Sequence, residues 1–310
     1  MEISLILAEE ITKLFIIMAM GWALVRARVL KTEDSRVISA IIVYLVAPCI
    51  IISSFQIEHS RQVVSGLVFS FAAALFAHAL FLLLAAVFGR ALRLDAAEKL
   101  TVVYTNAGIL VLPLVQAMLG GEYLVYSCAF IVVQLILLWT HCRCVLSGSA
   151  GIGWRKILFN LNVISIFIGG AMFLLGVRLP EIADGTLKMT GSMIGPLGML
   201  LAGMVIADVP ARRIFGDRRR YLASALRLVA APVILLLAFK ICGAAQMIPD
   251  GKNILLVVYL AGVTPACATV TSMAQLYGDI GDRTGVLYVL TTLLSIVTMP
   301  LVIALYEAVI

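Results

Sequence analysis

Residues 99–122 read KLTVVYTNAGILVLPLVQAMLGGE. No charged residue lies between Lys99 and Glu122, so a helix over this stretch is long enough to cross a hydrocarbon core of ~30 Å. Asn106, Gly108 and Pro113 interrupt the apolar run near its middle. Proline removes a backbone donor and glycine lowers helix preference. The stretch therefore predicts a transmembrane helix that is broken at mid-depth.

Composition shows that this apolar run is typical of the whole chain. Of 310 residues, 63% are hydrophobic and 13% are charged, and the mean hydropathy is +1.11. A soluble domain carries roughly 25% charged residues. We therefore predict an all-α integral membrane protein with ten transmembrane helices. The predicted spans are 5–25, 37–57, 63–89, 100–119, 123–142, 158–177, 189–207, 222–242, 254–276 and 285–306.

Lys and Arg alternate across the predicted connections. They concentrate after spans one, three, five and seven, which places those loops in the cytoplasm and both termini on the non-cytoplasmic side. Trp22, Trp139 and Trp154 lie beside these loops, as interfacial anchors do. We expect a multi-pass protein of the inner (plasma) membrane, without a removable signal peptide. The basic residues are Arg26, Arg28, Lys31, Arg36, Arg90, Arg93, Lys99, Arg143, Arg155, Lys156, Arg212, Arg213, Arg218, Arg219 and Arg220.

Ten spans divide into five plus five at the Ser/Gly-rich stretch 147–153. Each half then starts on the opposite side of the membrane, so a structural repeat must be inverted. We assign residues 1–146 and 157–310 to the two repeats and 147–156 to a cytoplasmic linker. Span nine repeats the features of span four, since a Val-Val-Tyr run precedes Gly262, Thr264 and Pro265.

The two broken spans admit two interpretations. Half-helix ends that meet near mid-depth form a compact site, and an N-terminal end favours an anion such as a carboxylate. This favours a secondary transporter. Alternatively the breaks are only packing kinks in a membrane-embedded enzyme or a sensor-type helical bundle. The sequence contains no Walker loop and no His-Glu-x-x-His motif, which argues against ATP-driven transport by this chain alone.

The chain resembles the auxin efflux carrier family, which includes bacterial malonate- and malate-type permeases and the plant PIN carriers. The resemblance rests on short motifs spread over the chain. They are Gly21-Trp22 with Arg26, Arg28 and Leu30; Tyr44-Leu45-Val46-Ala47-Pro48 with Ser53 and Ser54; Thr105-Asn106-Ala107-Gly108 with Leu112-Pro113-Leu114; and Thr264-Pro265-Ala266 with Tyr277-Gly278.

This resemblance implies an inverted repeat with a scaffold of spans 1, 2, 6 and 7. It also implies a homodimer and a moving transport domain of spans 3–5 and 8–10, which carries an organic anion such as malonate, malate or an auxin-like acid. Asn106 becomes the polar residue of the first crossover, and Pro113 and Pro265 become the helix breakers. Leu110-Val111 stands where many members have a second glycine. The implied substrate residues are Asn106, Ala107, Gly108, Pro113, Val263, Thr264, Pro265 and Pro48.

Several other residues are candidates for chemistry. His78 lies in the middle of span three and is a candidate for carrying a coupling proton or for a neutral packing role. Gln134 and Gln116 are candidates for binding substrate or a cation, or for polar interhelical contacts. A proton gradient and a sodium gradient are therefore the candidates for coupling.

Further expectations concern what the chain lacks. We predict no metal site at His141-Cys142-Arg143-Cys144, no disulfide framework, no cofactor and no nucleic-acid partner, with membrane lipid as the surrounding partner. Asp208 is expected to pair with Arg212 or Arg213 at the membrane edge. We expect no arginine at mid-depth, so that anion binding relies on helix ends and neutral polar groups.

Overall fold

The computed structural model describes residues 2–148, 155, 158–207, 209–277 and 280–310, and these are helical almost throughout. Three helices contain a π-helical turn, at Ile42–Val46, Leu138–Cys142 and Leu226–Ala230. The helices are α1 Glu2–Arg26, α2 Thr32–Ser54, α3 Arg61–Ala91, α4 Ala96–Val103, α5 Ala107–Met118, α6 Gly121–Ser147, α7 Leu161–Leu174, α8 Glu181–Ala207, α9 Ala211–Phe215, α10 Arg218–Ile241, α11 Gly251–Val263, α12 Ala268–Tyr277 and α13 Gly281–Val309.

Six helices of the described chain are long and apolar enough to cross a membrane, namely α2, α3, α6, α8, α10 and α13. Three further apolar helices are shorter, namely α5, α7 and α11. Helix α1 is also long, and the charged residues near its middle are paired, with Lys13 2.8 Å from both Glu9 and Glu10. The predicted all-helical, multi-pass membrane class is therefore confirmed.

The two predicted breaks are present. Span four is divided into α4 and α5 by residues 104–106, and span nine into α11 and α12 by residues 264–267. Pro265 lies within its break. The prediction that Pro113 breaks span four was wrong, because Pro113 lies inside α5 and the break precedes it by several residues.

Pro48 lies in α2, just after the π-helical turn, and the helix continues through it. This second half of α2 packs against α6, α7 and α8. The helix accommodates the missing proline N–H because the π turn has already shifted the local hydrogen-bond pattern. The structure therefore places Pro48 in a helix–helix interface of α2.

Helices α1 and α8 pack along each other at very short range. The close approach depends on Gly21 and Gly203, because a Cβ at Gly203 would overlap the carbonyl oxygen of Met18 and a Cβ at Gly21 would overlap that of Leu200. Small residues allow helix backbones to approach in this way in membranes. Both obstructing atoms are backbone atoms, so they cannot move aside by a rotamer change.

We expect Gly203→Ala to lower the free energy of unfolding by about 1–3 kcal/mol, because the added methyl group pushes two packed backbones apart. Thermal unfolding of the purified protein in detergent measures this. Gly185→Ala is the matched control, since a Cβ there meets open space in the same helix. Equal loss of stability in both variants would contradict the α1–α8 contact.

Candidate functional site

The two helix breaks are joined to each other by backbone hydrogen bonds. Thr105 and Ala266 form an isolated antiparallel bridge. The Asn106 amide donates to the Pro265 carbonyl at 2.8 Å, and the Cys267 amide donates to the Tyr104 carbonyl at 3.2 Å. Backbone groups freed by the breaks thus satisfy one another, as they must away from water. We call residues 104–106 and 264–267 together the crossover.

The crossover lies near the middle of the two broken spans. Arg283 Nη1 lies 2.9 Å from Asp95 Oδ2, so α4 begins on the side where α12 ends. Tyr123 donates to Asp250 at 2.6 Å, so α5 ends on the side where α11 begins. Helices α4 and α12 contain 8 and 10 residues, and α5 and α11 contain 12 and 13. At 1.5 Å per residue the crossover lies about 12–15 Å from one side and about 18–20 Å from the other.

Side chains from two other helices complete the backbone hydrogen bonding of the crossover. Gln134 of α6 accepts from the Thr105 amide at 3.0 Å and from its hydroxyl at 2.8 Å, and it donates to the Thr105 carbonyl at 2.8 Å. In the second segment of the crossover, residues 264–267, the Ala266 amide donates to the Thr291 hydroxyl of α13 at 3.1 Å. The Gln134 amide is therefore engaged in holding the crossover.

Arg227 of α10 is fully buried behind the crossover, at 0% exposure. Its guanidinium donates to the carbonyl oxygens of Val102 at 3.1 Å, of Thr264 at 2.9 and 3.1 Å, and of Gly262. The guanidinium carbon lies 5.2 Å from the centre of the Phe81 ring. The expectation that no arginine lies at mid-depth was therefore wrong: α10 carries Arg227 to the level of the helix breaks, since its partners belong to them.

Asn106 differs from the other residues of the crossover in having a side chain without a partner. It is the N-cap residue of α5, and its side chain makes no capping hydrogen bond. The residue is only 5% exposed. Its backbone amide donates to Pro265, whereas its side-chain amide makes no hydrogen bond to the described residues. The first backbone N–H groups of a helix have no intrahelical acceptor. The side-chain amide of Asn106 therefore lies at a partially positive helix end.

The residues that follow Asn106 leave this end open. Ala107 is buried, whereas Gly108 is exposed, and a Cβ added at Gly108 meets nothing within 4 Å. Thr269 occupies the corresponding place in α12, as the second residue of the half-helix, and is exposed too. The start of each half-helix after its break is thus accessible.

Val263, Thr264 and Pro265 are all buried. Val263 ends α11, and Thr264 and Pro265 belong to the crossover. The Thr264 hydroxyl donates to the Ala261 carbonyl at 3.1 Å, while its carbonyl accepts from Arg227. The Pro265 carbonyl accepts from Asn106. The hydroxyl and carbonyl of Thr264 and the carbonyl of Pro265 therefore already have hydrogen-bond partners within the protein. The accessible part of the predicted site lies at Asn106 and Gly108.

His78 of α3 is buried at 1% exposure. Its Nδ1 lies 2.8 Å from the Ala74 carbonyl, so Nδ1 carries the hydrogen, and Nε2 has no hydrogen-bond partner among the described residues. The ring packs against Phe130 with a centroid distance of 4.3 Å. Phe81 contacts both the His78 ring and the Arg227 guanidinium, which places His78 close behind the crossover.

The remaining candidates lie elsewhere. His141 lies 2.9 Å from the Tyr104 hydroxyl, and the described residues contain no cluster of metal ligands. All six cysteines are free thiols. Gln116 is exposed on α5. Asp208, Gly278, Trp154 and most of the linker 147–156 lie outside the described residues.

The two cavities described in this structure are not at the crossover. One, of about 410 Å³, is lined by Tyr44, Trp139 and Arg155 among others. The other, of about 430 Å³, is almost entirely apolar and lies between α2, α3, α6 and α7. The predicted substrate residues line neither of them.

An all-helical membrane chain in which two interrupted helices are joined near mid-depth has the architecture of a membrane transporter. The sequence model of the family described as "Membrane transport protein" matches residues 6–152 and 146–303. The chain therefore belongs to this family, that of the auxin efflux carriers, as the resemblance indicated. No curated protein matches the chain.

Proposed function

We propose that this chain is a secondary transporter of a small organic anion, whose carboxylate binds at the start of α5 beside Asn106. One observation carries the proposal: the side-chain amide of Asn106, a residue only 5% exposed, makes no hydrogen bond to the described residues and lies at the N-terminal end of a half-helix that is open at Gly108. Helix N-termini favour anions, and an amide N–H is a good donor to a carboxylate. Family membership supports transport over the alternative of a membrane enzyme or sensor bundle.

The proposed architecture is a five-plus-five inverted repeat of ten spans. Its support is the similar environment of the two breaks: Gln134 from the fifth predicted span holds Thr105, and Thr291 from the tenth holds Ala266. Each break is followed by a short half-helix whose second residue is exposed. The repeats would comprise residues 1–146 and 157–310.

We further propose that the transport domain of spans 3–5 and 8–10 moves as an elevator against a scaffold of spans 1, 2, 6 and 7. Helix α8 of the proposed scaffold contacts α5 of the proposed transport domain through glycine residues. A helix face without side chains at the contact supports movement of one helix past the other. A Cβ at Gly195 would come within 2.9 Å of Pro113, and one at Gly198 would overlap Ile109. A homodimer through the scaffold, in the inner (plasma) membrane with both termini outside, completes the proposal.

For coupling to a proton or sodium gradient we propose His78 as the proton-linked candidate. Its unpartnered Nε2, close behind the crossover, supports this role. Gln134 is a second candidate for coupling. Its amide oxygen and nitrogen both bond Thr105, so it would act by holding Thr105 in place and not by binding the coupling ion. His78→Gln in a flux assay with an imposed pH gradient tests the proton link.

A flux panel tests the proposed function. The purified chain is reconstituted in proteoliposomes and offered labelled malonate, malate and indole acetate, with labelled glucose as the neutral control. We expect saturable uptake of at least one acid and none of glucose. If a monodisperse, folded preparation moves no acid faster than protein-free vesicles, the carrier proposal is wrong and a sensor-type bundle is favoured.

We expect Gly108→Ala to reduce uptake while the protein stays as stable as the wild type. Alanine suits a helix better than glycine by about 0.5–1 kcal/mol, and its methyl group meets no atom of the protein. The same methyl group occupies the space beside the first amides of α5, where the carboxylate would bind. Uptake kinetics and thermal unfolding measure the two effects. Gly121→Ala, which also adds a Cβ in open space, is expected to change neither.

A further inference from the structure

We propose that Arg227 is a built-in counter-charge of the crossover, which occupies the position that an exchangeable cation would otherwise take at the two helix carboxyl ends. The guanidinium then serves as a positioning group that holds both breaks and frees the opposite helix ends for an anion. The anion-binding part of this inference rests on the proposed function. The counter-charge part stands on the geometry alone.

The first step is the identity of the groups around Arg227. Val102 lies in the last turn of α4, and Gly262 and Thr264 lie at the end of α11. All three offer carbonyl oxygens to the guanidinium. The last carbonyls of a helix have no intrahelical donor, so one side chain satisfies orphan acceptors of two half-helices together.

The second step concerns charge. Each helix carboxyl end carries roughly half a negative charge. The ends of α4 and α11 together therefore amount to roughly one negative charge, which a single guanidinium balances. Carbonyl clusters of this kind also bind hard cations. No carboxylate pairs with Arg227 among the described residues, so these carbonyls are its counter-groups.

The third step concerns what remains uncompensated. With the carboxyl ends balanced, the amino ends of α5 and α12 retain roughly half a positive charge each. Their sum matches one carboxylate. The neutral side chains of Gln134 and Thr291 add no charge at the crossover. A carrier built in this way needs no sodium ion to assemble its anion site.

Thermal unfolding in detergent tests the counter-charge without any substrate. Wild type, Arg227→Gln and Arg227→Lys are compared in NaCl and in choline chloride of equal ionic strength, with the exposed Arg90→Gln as the control for loss of one positive charge. We expect no sodium-specific shift in the wild type or the control. Arg227→Gln should unfold about 5–10 °C lower and recover part of this loss in NaCl, whereas Arg227→Lys should keep most of the wild-type stability.

Each contrary result overturns the proposal. A sodium-specific stabilisation of the wild type shows that the carbonyls still take an exchangeable cation. Stability of Arg227→Gln equal to wild type shows that the charge is not needed, and a loss that no cation recovers makes Arg227 a packing residue. If Arg227→Gln cannot be purified, the proposal is tested by Arg227→Lys. This variant keeps the positive charge and must fold if the charge is what the crossover needs.

A flux arm tests the consequence for transport. For whichever acid of the malonate, malate and indole acetate panel is taken up, wild-type uptake should be the same with external sodium or choline. Uptake that requires sodium contradicts sodium-independent assembly of the site. If no acid is transported, the proposed function fails, while the unfolding data still decide the role of Arg227.

Discussion

Replacing Asn106 with alanine is expected to lower uptake of the transported acid by about 10- to 150-fold. A hydrogen bond to a charged group contributes about 1.5–3 kcal/mol, and each 1.4 kcal/mol is tenfold in binding. Stability should change little, because the side-chain amide that alanine lacks makes no hydrogen bond to the described residues. The measurement is initial uptake in proteoliposomes, together with the thermal unfolding of the same preparation.

Two further variants make this result specific. Asn253→Ala removes an asparagine that donates to Asp250 at 2.7 Å at the start of α11, at the end of that helix opposite to the crossover, and it should transport normally. Asn106→Asp keeps the size of the side chain and places a negative charge where the carboxylate would bind, so it should lower uptake at least as much as Asn106→Ala. Wild-type uptake by Asn106→Ala would remove Asn106 from the site.

The second large effect is expected for Gln134→Leu. Leucine has a similar volume but leaves the amide, carbonyl and hydroxyl of Thr105 without their partner. Each buried unsatisfied group costs about 1–3 kcal/mol, so we expect a loss of about 3–5 kcal/mol in the free energy of unfolding and no uptake. Thermal unfolding in detergent and proteoliposome uptake measure both.

The control for this variant is Gln116→Leu, which replaces an exposed glutamine in the half-helix α5 and should stay within about 0.5 kcal/mol of wild type. If Gln134→Leu unfolds at the wild-type temperature, Gln134 does not hold the crossover. Its role as a direct substrate or cation ligand would then regain support, provided that uptake is still lost.

The existence of both helix breaks was predictable from sequence, because glycine, asparagine and proline interrupt otherwise apolar runs at similar places. The position of the first break was less predictable. Pro113 was the obvious breaker, yet the chain stays helical through it. The break is set instead by Thr105 and Ala266, whose pairing joins segments far apart in sequence. Local propensity does not contain that information.

Arg227 shows the limit of sequence reasoning more clearly. Arg227 is the single charged residue between Tyr221 and Lys240. Because it lies near the start of the predicted span 222–242, the sequence alone suggests a charge close to the membrane surface. Its partners lie in α4 and at the end of α11, so only the tertiary fold reveals its role. A signal was nevertheless present, because an arginine inside an apolar run indicates a functional group facing the interior of the bundle.

Gln134 and His78 were recognised from their depth, but two interpretations remained open for each. The structure shows the Gln134 amide on Thr105 and His78 Nδ1 on Ala74. Hydrogen-bond partners of this kind depend on which helices are neighbours, and the sequence pattern of a single helix does not specify its neighbours.

Substrate protection of a cysteine at position 108 tests the central claim most directly. Gly108→Cys is made in a background in which the exposed Cys144 and Cys242 are replaced by serine, and its alkylation by a charged maleimide is followed with and without the transported acid. Because a side chain at position 108 weakens binding of the acid, the acid is used at a concentration that saturates uptake by this variant. We predict that it then slows alkylation several-fold, while glucose has no effect. Unchanged alkylation, in a preparation that still transports the acid, would show that the anion binds away from the start of α5.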